Sequence, residues 1–273
     1  MSLNKRLIST AASNNPTFSG RTANLILHLD SGHTNSYPGS GTTWYDLTSN
    51  SYNWTFDKSS TSGSSTIPVW AASQGTDNIY NVMQIRESAL SLFSRANPTP
   101  FNLQEYSIEF WIWDISSDNN YSYYWSNDVQ PFGSPYYYQQ VRSAEDYSSK
   151  MHFYLGYDGT NYLGDGGSGS SVDVSYNTWS HWIFTSGYNG SNGEAKVYKN
   201  GSLEQTLTVS LGTKQYGSNQ SSRFSYIGTS DKTQNSTAFY SNIDVSEVRF
   251  YSAVLSSTDV TGNYNATKAR YGY

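Results

Sequence analysis

Residues 194–209 read EAKVYKNGSLEQTLTV. Two β-prone runs flank Asn200-Gly201, a dipeptide suited to a type I′ turn because both central positions need φ > 0. A two-residue loop sets Lys199 opposite Ser202 and Tyr198 opposite Leu203. Strict alternation then gathers Tyr198, Leu203 and Leu207 on one face of the hairpin and Val197 on the other. Further strand-like runs bracket it: TWSHWIFT at 178–185 before, RFSYIG at 223–228 and IDVSEVRFY at 243–251 after.

The same reading extends outward. NLILHLD at 24–30 is a short apolar run ending in an Asp and a turn-rich segment, and TWYDL at 43–47 and NSYNWT at 50–55 follow. Residues 57–66 read as a Ser/Gly/Thr loop, and residues 82–93 contain a strand. EYSIEFWIW at 105–113 is the strongest alternating run, with Tyr106, Ile108, Phe110 and Ile112 sharing the face expected to meet the core. MHFYLGY at 151–157 and NYL at 161–163 flank Asp158-Gly159 as a second hairpin. Residues 164–171 read as a flexible turn. Near the C-terminal end, Ser256 or Ser257 caps one short helix, with Asp259 as its capping-box partner.

Composition supports an all-β reading. Aromatic residues make up 16% of the 273 and charged residues 14%; 25 are Tyr and none is Cys. Tyr and Trp supply large buried area while keeping a polar tip, which suits strands in a chain sparse in aliphatics. A net charge of −5 argues against nucleic-acid binding, which needs a basic patch. Without Cys there are neither disulfides nor thiolate metal sites. No stretch reaches the roughly 20 apolar residues of a membrane span. The N-terminal residues carry Lys5-Arg6 but no apolar run after them, so they do not read as a secretory signal and synthesis in the cytoplasm is expected.

The order of motifs W-x-H-W (179–182), K-V-Y-x-N-G-x-L (196–203), Y-I-G (226–228) and I-D-x-x-E-V-R-F-Y (243–251) resembles the C-terminal half of the laminin-G-like, concanavalin A-like jelly-roll family. L-x-L-D (27–30) and Y-P-G-S-G-T-T-W-Y-D-L (37–47) resemble its N-terminal part. The resemblance implies a two-sheet antiparallel jelly-roll sandwich. Its expected divisions are an N-terminal arm (1–20), the laminin-G-like domain (21–265) and a tail (266–273). Residues 114–150, the least family-like, are expected to be an irregular Tyr-rich insertion. N-x-N-A-T-K-x-R-Y-G at 263–272 resembles the ending of laminin-G-like proteins of tailed bacteriophages. That resemblance implies a virion structural protein of the capsid, tail or a fibre, partnered by other virion proteins and by copies of itself.

Candidate chemistry is limited. Glycosidases of this fold class need two carboxylates on one strand, in a pattern such as E-x-D-x-x-E. The nearest match, residues 242–247, has Asn242 in place of the first Glu, so Asp244, Glu247 and Arg249 read as structural ties and no catalytic residue is assigned. His181 reads as a packed histidine. Some laminin-G-like domains bind calcium at a loop rim, and Asp30, Asp46, Asp158 and Asp165 lie near loops. Without a spaced cluster they read as turn caps, and no metal ligand is assigned. Tyr121, Tyr123, Tyr124, Trp125, Tyr136, Tyr137 and Tyr138 are the candidates for stacking on a host-surface glycan or burying against a partner. Lys5, Arg6, Leu7 and Ile8 are the candidates for an assembly arm. A glycan-binding, lectin-like adhesion module is the alternative function, and a glycoside hydrolase the third.

Overall fold

The computed structural model describes residues 20–72, 81–115, 121–127, 139–144, 149–164, 172–215, 223–233 and 236–273. The arm candidates Lys5, Arg6, Leu7 and Ile8 lie outside the described residues, as do Tyr136, Tyr137, Tyr138 and Asp165. The strands, in chain order, begin with β1 (Leu25–Asp30), β2 (Thr43–Trp44), β3 (Trp54–Lys58), β4 (Val69–Ala72) and β5 (Asn81–Ile85). Next come β6 (Ser91–Ala96), β7 (Tyr106–Asp114), β8 (Tyr121–Asn127), β9 (Gln139–Ala144), β10 (Lys150–Tyr157) and β11 (Tyr162–Gly164). The series closes with β12 (Trp179–Asn189), β13 (Asn192–Lys199), β14 (Ser202–Ser210), β15 (Phe224–Ile227), β16 (Ile243–Tyr251) and the helix α1 (Ser257–Thr267).

These strands form two antiparallel eight-stranded sheets, the sandwich expected from the sequence. The first runs β14-β13-β12-β7-β16-β5-β4, and β1 joins it by pairing with β16. One edge of β16 is shared: Ile243–Val245 pair with β5, and the later residues pair with β1. The second sheet runs β11-β10-β9-β8-β15-β6-β3-β2. Between them lies a core rich in aromatics, including Trp44, Trp54, Phe93, Phe101, Phe110, Trp125, Trp182 and Phe250. Tyr106, Ile108, Phe110 and Ile112 face this core as alternation requires.

The 200–201 turn forms as read. Asn200 has φ 51° and Gly201 φ 82°, Tyr198 pairs with Leu203, and Lys199 with Ser202. Leu207 is a correction. Val197 pairs with Gln205, so Glu204 is an extra residue that reverses the face of everything beyond it. Leu207 therefore joins Ala195 and Val197 against the main core, while Tyr198 packs on the opposite face and Leu203 stays exposed.

Residues 82–93 contain two strands rather than one. A 3-10 turn at Glu87–Ala89, ending on Leu90 with φ 49°, carries the chain from β5 in one sheet to β6 in the other. Residues 114–150, read as an insertion, contain β8 and β9, which are interior strands of the second sheet. A bulge within β8, between the pairs Tyr123–Arg142 and Trp125–Val141, turns the successive residues Tyr124 and Trp125 both into the core. β4, an edge strand, had no counterpart in the sequence reading.

Past β16 the chain crosses the outer face of the first sheet. Ser256 caps α1 in a full capping box with Asp259, as read. The helix rests on the hairpin turn: Thr261 Oγ1 donates to the Gly201 carbonyl at 3.2 Å. A Cβ on Gly201 would stand 2.9 Å from the Tyr264 ring. Gly201→Ala therefore meets both a left-handed backbone and a clash, and should lower stability by roughly 1–2 kcal/mol or more. Urea unfolding of the variant beside Ser202→Ala, which should change little, checks this.

Candidate functional site

Several titratable groups strongly displaced from their ordinary behaviour, Glu109, Glu247, Arg249, Tyr251, Arg270 and Tyr271 among them, lie between the outer face of the first sheet and the C-terminal segment. A bulge in β16, between the pairs Val245–Ile112 and Glu247–Trp111, places Val248 and Phe250 inward. It turns Glu247 and Arg249 onto the outer face, where Glu109 of β7 and His181 of β12 also stand. All four are buried.

Arg249 lies between the two carboxylates: Nη1 donates to Glu109 and Nη2 to Glu247. Nε2 of His181 meets Glu109 Oε1 at 2.9 Å, and Nε2 of His28 meets Glu247 Oε1 at 2.8 Å. The second Glu109 oxygen accepts from the Tyr251 hydroxyl at 2.9 Å and from Asn263 Nδ2 of α1 at 2.8 Å. Burial alone would raise the pKa of both carboxyls. The Arg249 charge and the histidine contacts outweigh it, holding Glu109 down to about 2 and Glu247 below its ordinary range. The same carboxylates hold Arg249 firmly protonated despite its burial.

The segment after α1 roofs this cluster. Arg270 forks onto Asp30, with contacts of 2.8 and 2.7 Å. The Tyr271 ring stacks on Trp111 with centroids 3.9 Å apart, and its hydroxyl donates to Ser246 at 2.9 Å. Trp111 Nε1 donates to Thr267 Oγ1 at 2.9 Å. Asn263, Thr267, Arg270 and Tyr271 all belong to the 263–272 motif, so closing the fold is work those residues visibly do.

This constellation suits neither acid/base chemistry nor a metal. A retaining glycosidase needs one carboxyl able to give up and take back a proton near neutral pH. Here both carboxylates are fixed as anions, desolvated and covered. Asp244 is likewise buried and bonded by Arg86 at 2.6 Å. Among the described residues, His28, Asp30 and Glu247 bring potential ligand atoms within 4.8 Å of one another. Arg270 and Arg249 already occupy the two carboxylates, so a calcium ion would face two guanidiniums, and the residues do not fit it. Asp46 and Asp158 cap turns: Asp46 accepts from the Thr48 and Tyr52 amides, and Asp158 from those of Thr160, Asn161 and Gly212.

A second displaced group is Lys214, buried at one end of the sandwich. Its ammonium donates to the Gln104 carbonyl and, at 2.5 Å, to Ser186 Oγ, beside the Tyr106 and Tyr188 rings. Burial lowers its pKa to about 7, against a smaller opposing pull from Glu105.

The aromatic candidates divide by position. Tyr124 and Trp125 are wholly buried in the core, and the Tyr124 hydroxyl donates to Asp114 at 2.8 Å. Tyr123 is 1% exposed on the opposite face of the second sheet. These three form no exposed shelf, because Tyr124 and Trp125 point into the core and Tyr123 is covered. Tyr121 is half-buried on that outer face, beneath the Arg142 guanidinium at 3.9 Å from its ring centre. Arg142 escaped the sequence reading because β9 lay inside the presumed insertion.

Residues 91–261, more than half the chain, match the family model described as the concanavalin A-like lectin/glucanases superfamily. The chain belongs to that superfamily. Among solved structures, this superfamily member is similar to a mutant of Trypanosoma rangeli sialidase displaying trans-sialidase activity. The TM-score is 0.57 at 13% identity, over 93% of this chain and 34% of the sialidase. The same sialidase in complex with sialic acid matches at TM-score 0.53 and 14% identity, over 93% of this chain and 34% of that one. Domain 4 of AbnA, a GH43 extracellular arabinanase from Geobacillus stearothermophilus in complex with arabinotriose, matches at TM-score 0.57 and 15% identity. That match covers 89% of this chain and 98% of the domain. The chain thus spans about a third of the sialidase and nearly all of the arabinanase domain; at these identities the likeness is one of fold. Among curated protein sequences none matches the chain.

Removing Arg249 would strand two buried anions. Arg249→Met should cost about 3–5 kcal/mol or more, the range for breaking a buried ion pair. In the unaltered protein the depressed carboxyl pKa values stabilise the fold above the ordinary pKa of 4.5. That stabilisation should fade as pH falls from there toward about 2. Denaturant midpoints recorded from pH 7 to pH 2.5 check both, and the variant's deficit should narrow as the pH falls.

Proposed function

We propose that the chain is a non-enzymatic recognition and assembly module of a tailed-phage virion, made in the host cytoplasm, and that any contact with a host-surface glycan is binding without cleavage. The observation that carries the non-enzymatic part is Arg249 held between Glu109 and Glu247 beneath the C-terminal segment. That carboxylate pair is ion-paired to Arg249 and buried, which supports a structural rather than a proton-transferring role. Support for the virion setting comes from the 263–272 motif and its resemblance to phage proteins of the same fold. Membership of a superfamily described by lectins as well as glucanases supports sugar recognition, and the arabinanase domain supplies a relative in fold determined with an oligosaccharide. Among the described residues no helix is long and apolar enough to cross a membrane.

Incubation with arabinan, xylan, β-glucan and sialylated glycans should release no reducing ends or sialic acid above the blank. Release that disappears in Glu247→Gln or Glu109→Gln variants would overturn the non-enzymatic reading. For assembly, light scattering should show the full chain forming oligomers and a variant lacking residues 1–20 remaining monomeric. Equal masses for the two would remove the arm from the assembly scheme.

A further inference from the structure

The guanidiniums tied into the fold of the first sheet and its roof have acidic partners. Arg249 has Glu109 and Glu247, Arg270 has Asp30, Arg86 has Asp244 and Arg21 has Asp259. Arg142 differs. It stands on β9, inside the second sheet, and projects onto that sheet's outer face. Its side chain packs over Tyr121, lies 5.6 Å from the Tyr123 ring centre, and donates to the Tyr123 hydroxyl at 3.1 Å. Its cross-strand neighbours are Tyr123 on β8 and His152 on β10. Among the described residues, the ionisable groups that act on it most are Tyr123, Tyr121 and Tyr154, and no carboxylate is among them. Its Nε is buried without a hydrogen-bond partner.

A half-buried cation held by neutral rings, with no anion among the described residues to balance it, is costly unless something supplies the anion. The guanidinium sits over the Tyr121 ring at 3.9 Å, and a guanidinium fork is matched to a carboxylate. The surroundings suggest what carries that carboxylate. Tyr154 and Tyr162 lie on the next two strands, half-buried, with ring centres 6.0 Å apart at 77°, and Tyr157 stacks on Tyr162 at 4.8 Å. At the usual strand spacing, β8 to β11 spans roughly 14 Å. An arginine among tyrosine rings offers a carboxylate clamp beside apolar surfaces for sugar rings.

We propose that Arg142, backed by Tyr121 and Tyr123 and flanked by Tyr154 and Tyr162, binds the carboxylate of an acidic sugar in a uronic-acid-containing glycan. The assignment rests on the recognition-module reading and gives it a ligand class and a location. Binding is then selective for charged over neutral sugars and weakens with added salt.

The test is calorimetric titration of the full chain with oligogalacturonate, with its methyl-esterified neutral form and with inorganic phosphate, beside Arg142→Met and Arg142→Lys. Circular dichroism and the melting temperature establish that each variant is folded. The expected result is that oligogalacturonate binds at least tenfold more tightly than the neutral ester. Arg142→Met should erase that preference, and Arg142→Lys should retain part of it. Equal binding of the acidic and esterified oligomers, unchanged by Arg142→Met, would overturn the Arg142 site while leaving sugar recognition standing. Phosphate binding as tight as oligogalacturonate would overturn the sugar assignment in favour of a general anion site. Failure to bind either oligomer, together with a blank glycan array, would sink the recognition reading itself, and the site with it.

Discussion

One guanidinium divided between two carboxylates organises half of this molecule. Arg249 and Glu247 share a strand with each other; Glu109 comes from β7, His181 from β12, His28 from β1 and Asn263 from α1. Desolvating these charges is expensive, and the mutual attraction recovers the cost only when each oxygen and each N–H is placed well. The cluster is therefore best regarded as a specifier of geometry. It fixes which residue of β16 lies beside which residue of β7, and it requires the bulge near Ser246, since strict alternation would send Glu247 inward. The C-terminal segment completes the arrangement by excluding water with Trp111, Tyr264 and Tyr271.

The two outer faces have diverged in consequence. On the first sheet, charge is balanced, roofed and withdrawn from solvent. On the second, the tyrosine-rich face retains a cation that the described residues leave unbalanced. Both follow from one compositional habit. A chain poor in aliphatic residues builds surface layers from tyrosine, whose ring packs like a hydrophobe while its hydroxyl accepts or donates a hydrogen bond. Tyr251 and Tyr271 use the hydroxyl to finish a buried network, and Tyr123 uses it to hold Arg142.

Much of the architecture was legible because local rules govern it. The Asn200-Gly201 turn, the inward face of β7 and the Ser256–Asp259 capping box each depend on residues within a few positions of one another. What escaped reading depends on bulges or on distant partners. An extra residue at Glu204 moved Leu207 to the other face, and a bulge at Tyr124 drew two successive aromatics into the core. No periodicity announces either. Asp244, Glu247 and Arg249 were legible as structural ties, but Glu109 and Asn263 were not, because they stand 140 and 154 residues from the partners they meet. Polar, tyrosine-laden strands such as β8 and β9 look like loop in a sequence, since their burial comes from neighbours contributed by other parts of the chain.

The position of β16 has a bearing on how the protein is made. It is the last strand in sequence, yet it lies inside its sheet, with β7 along one side and β5 and β1 dividing the other. During translation β1, β5 and β7 emerge roughly 210, 160 and 130 residues ahead of the partner that joins them. Local hairpins such as β12–β13–β14 can close meanwhile, but the first sheet cannot. Sequence-distant pairing of this kind makes for slow folding and leaves strand edges exposed in the interim. Efficient production should thus depend on conditions that protect the nascent chain, such as low temperature or ample chaperone.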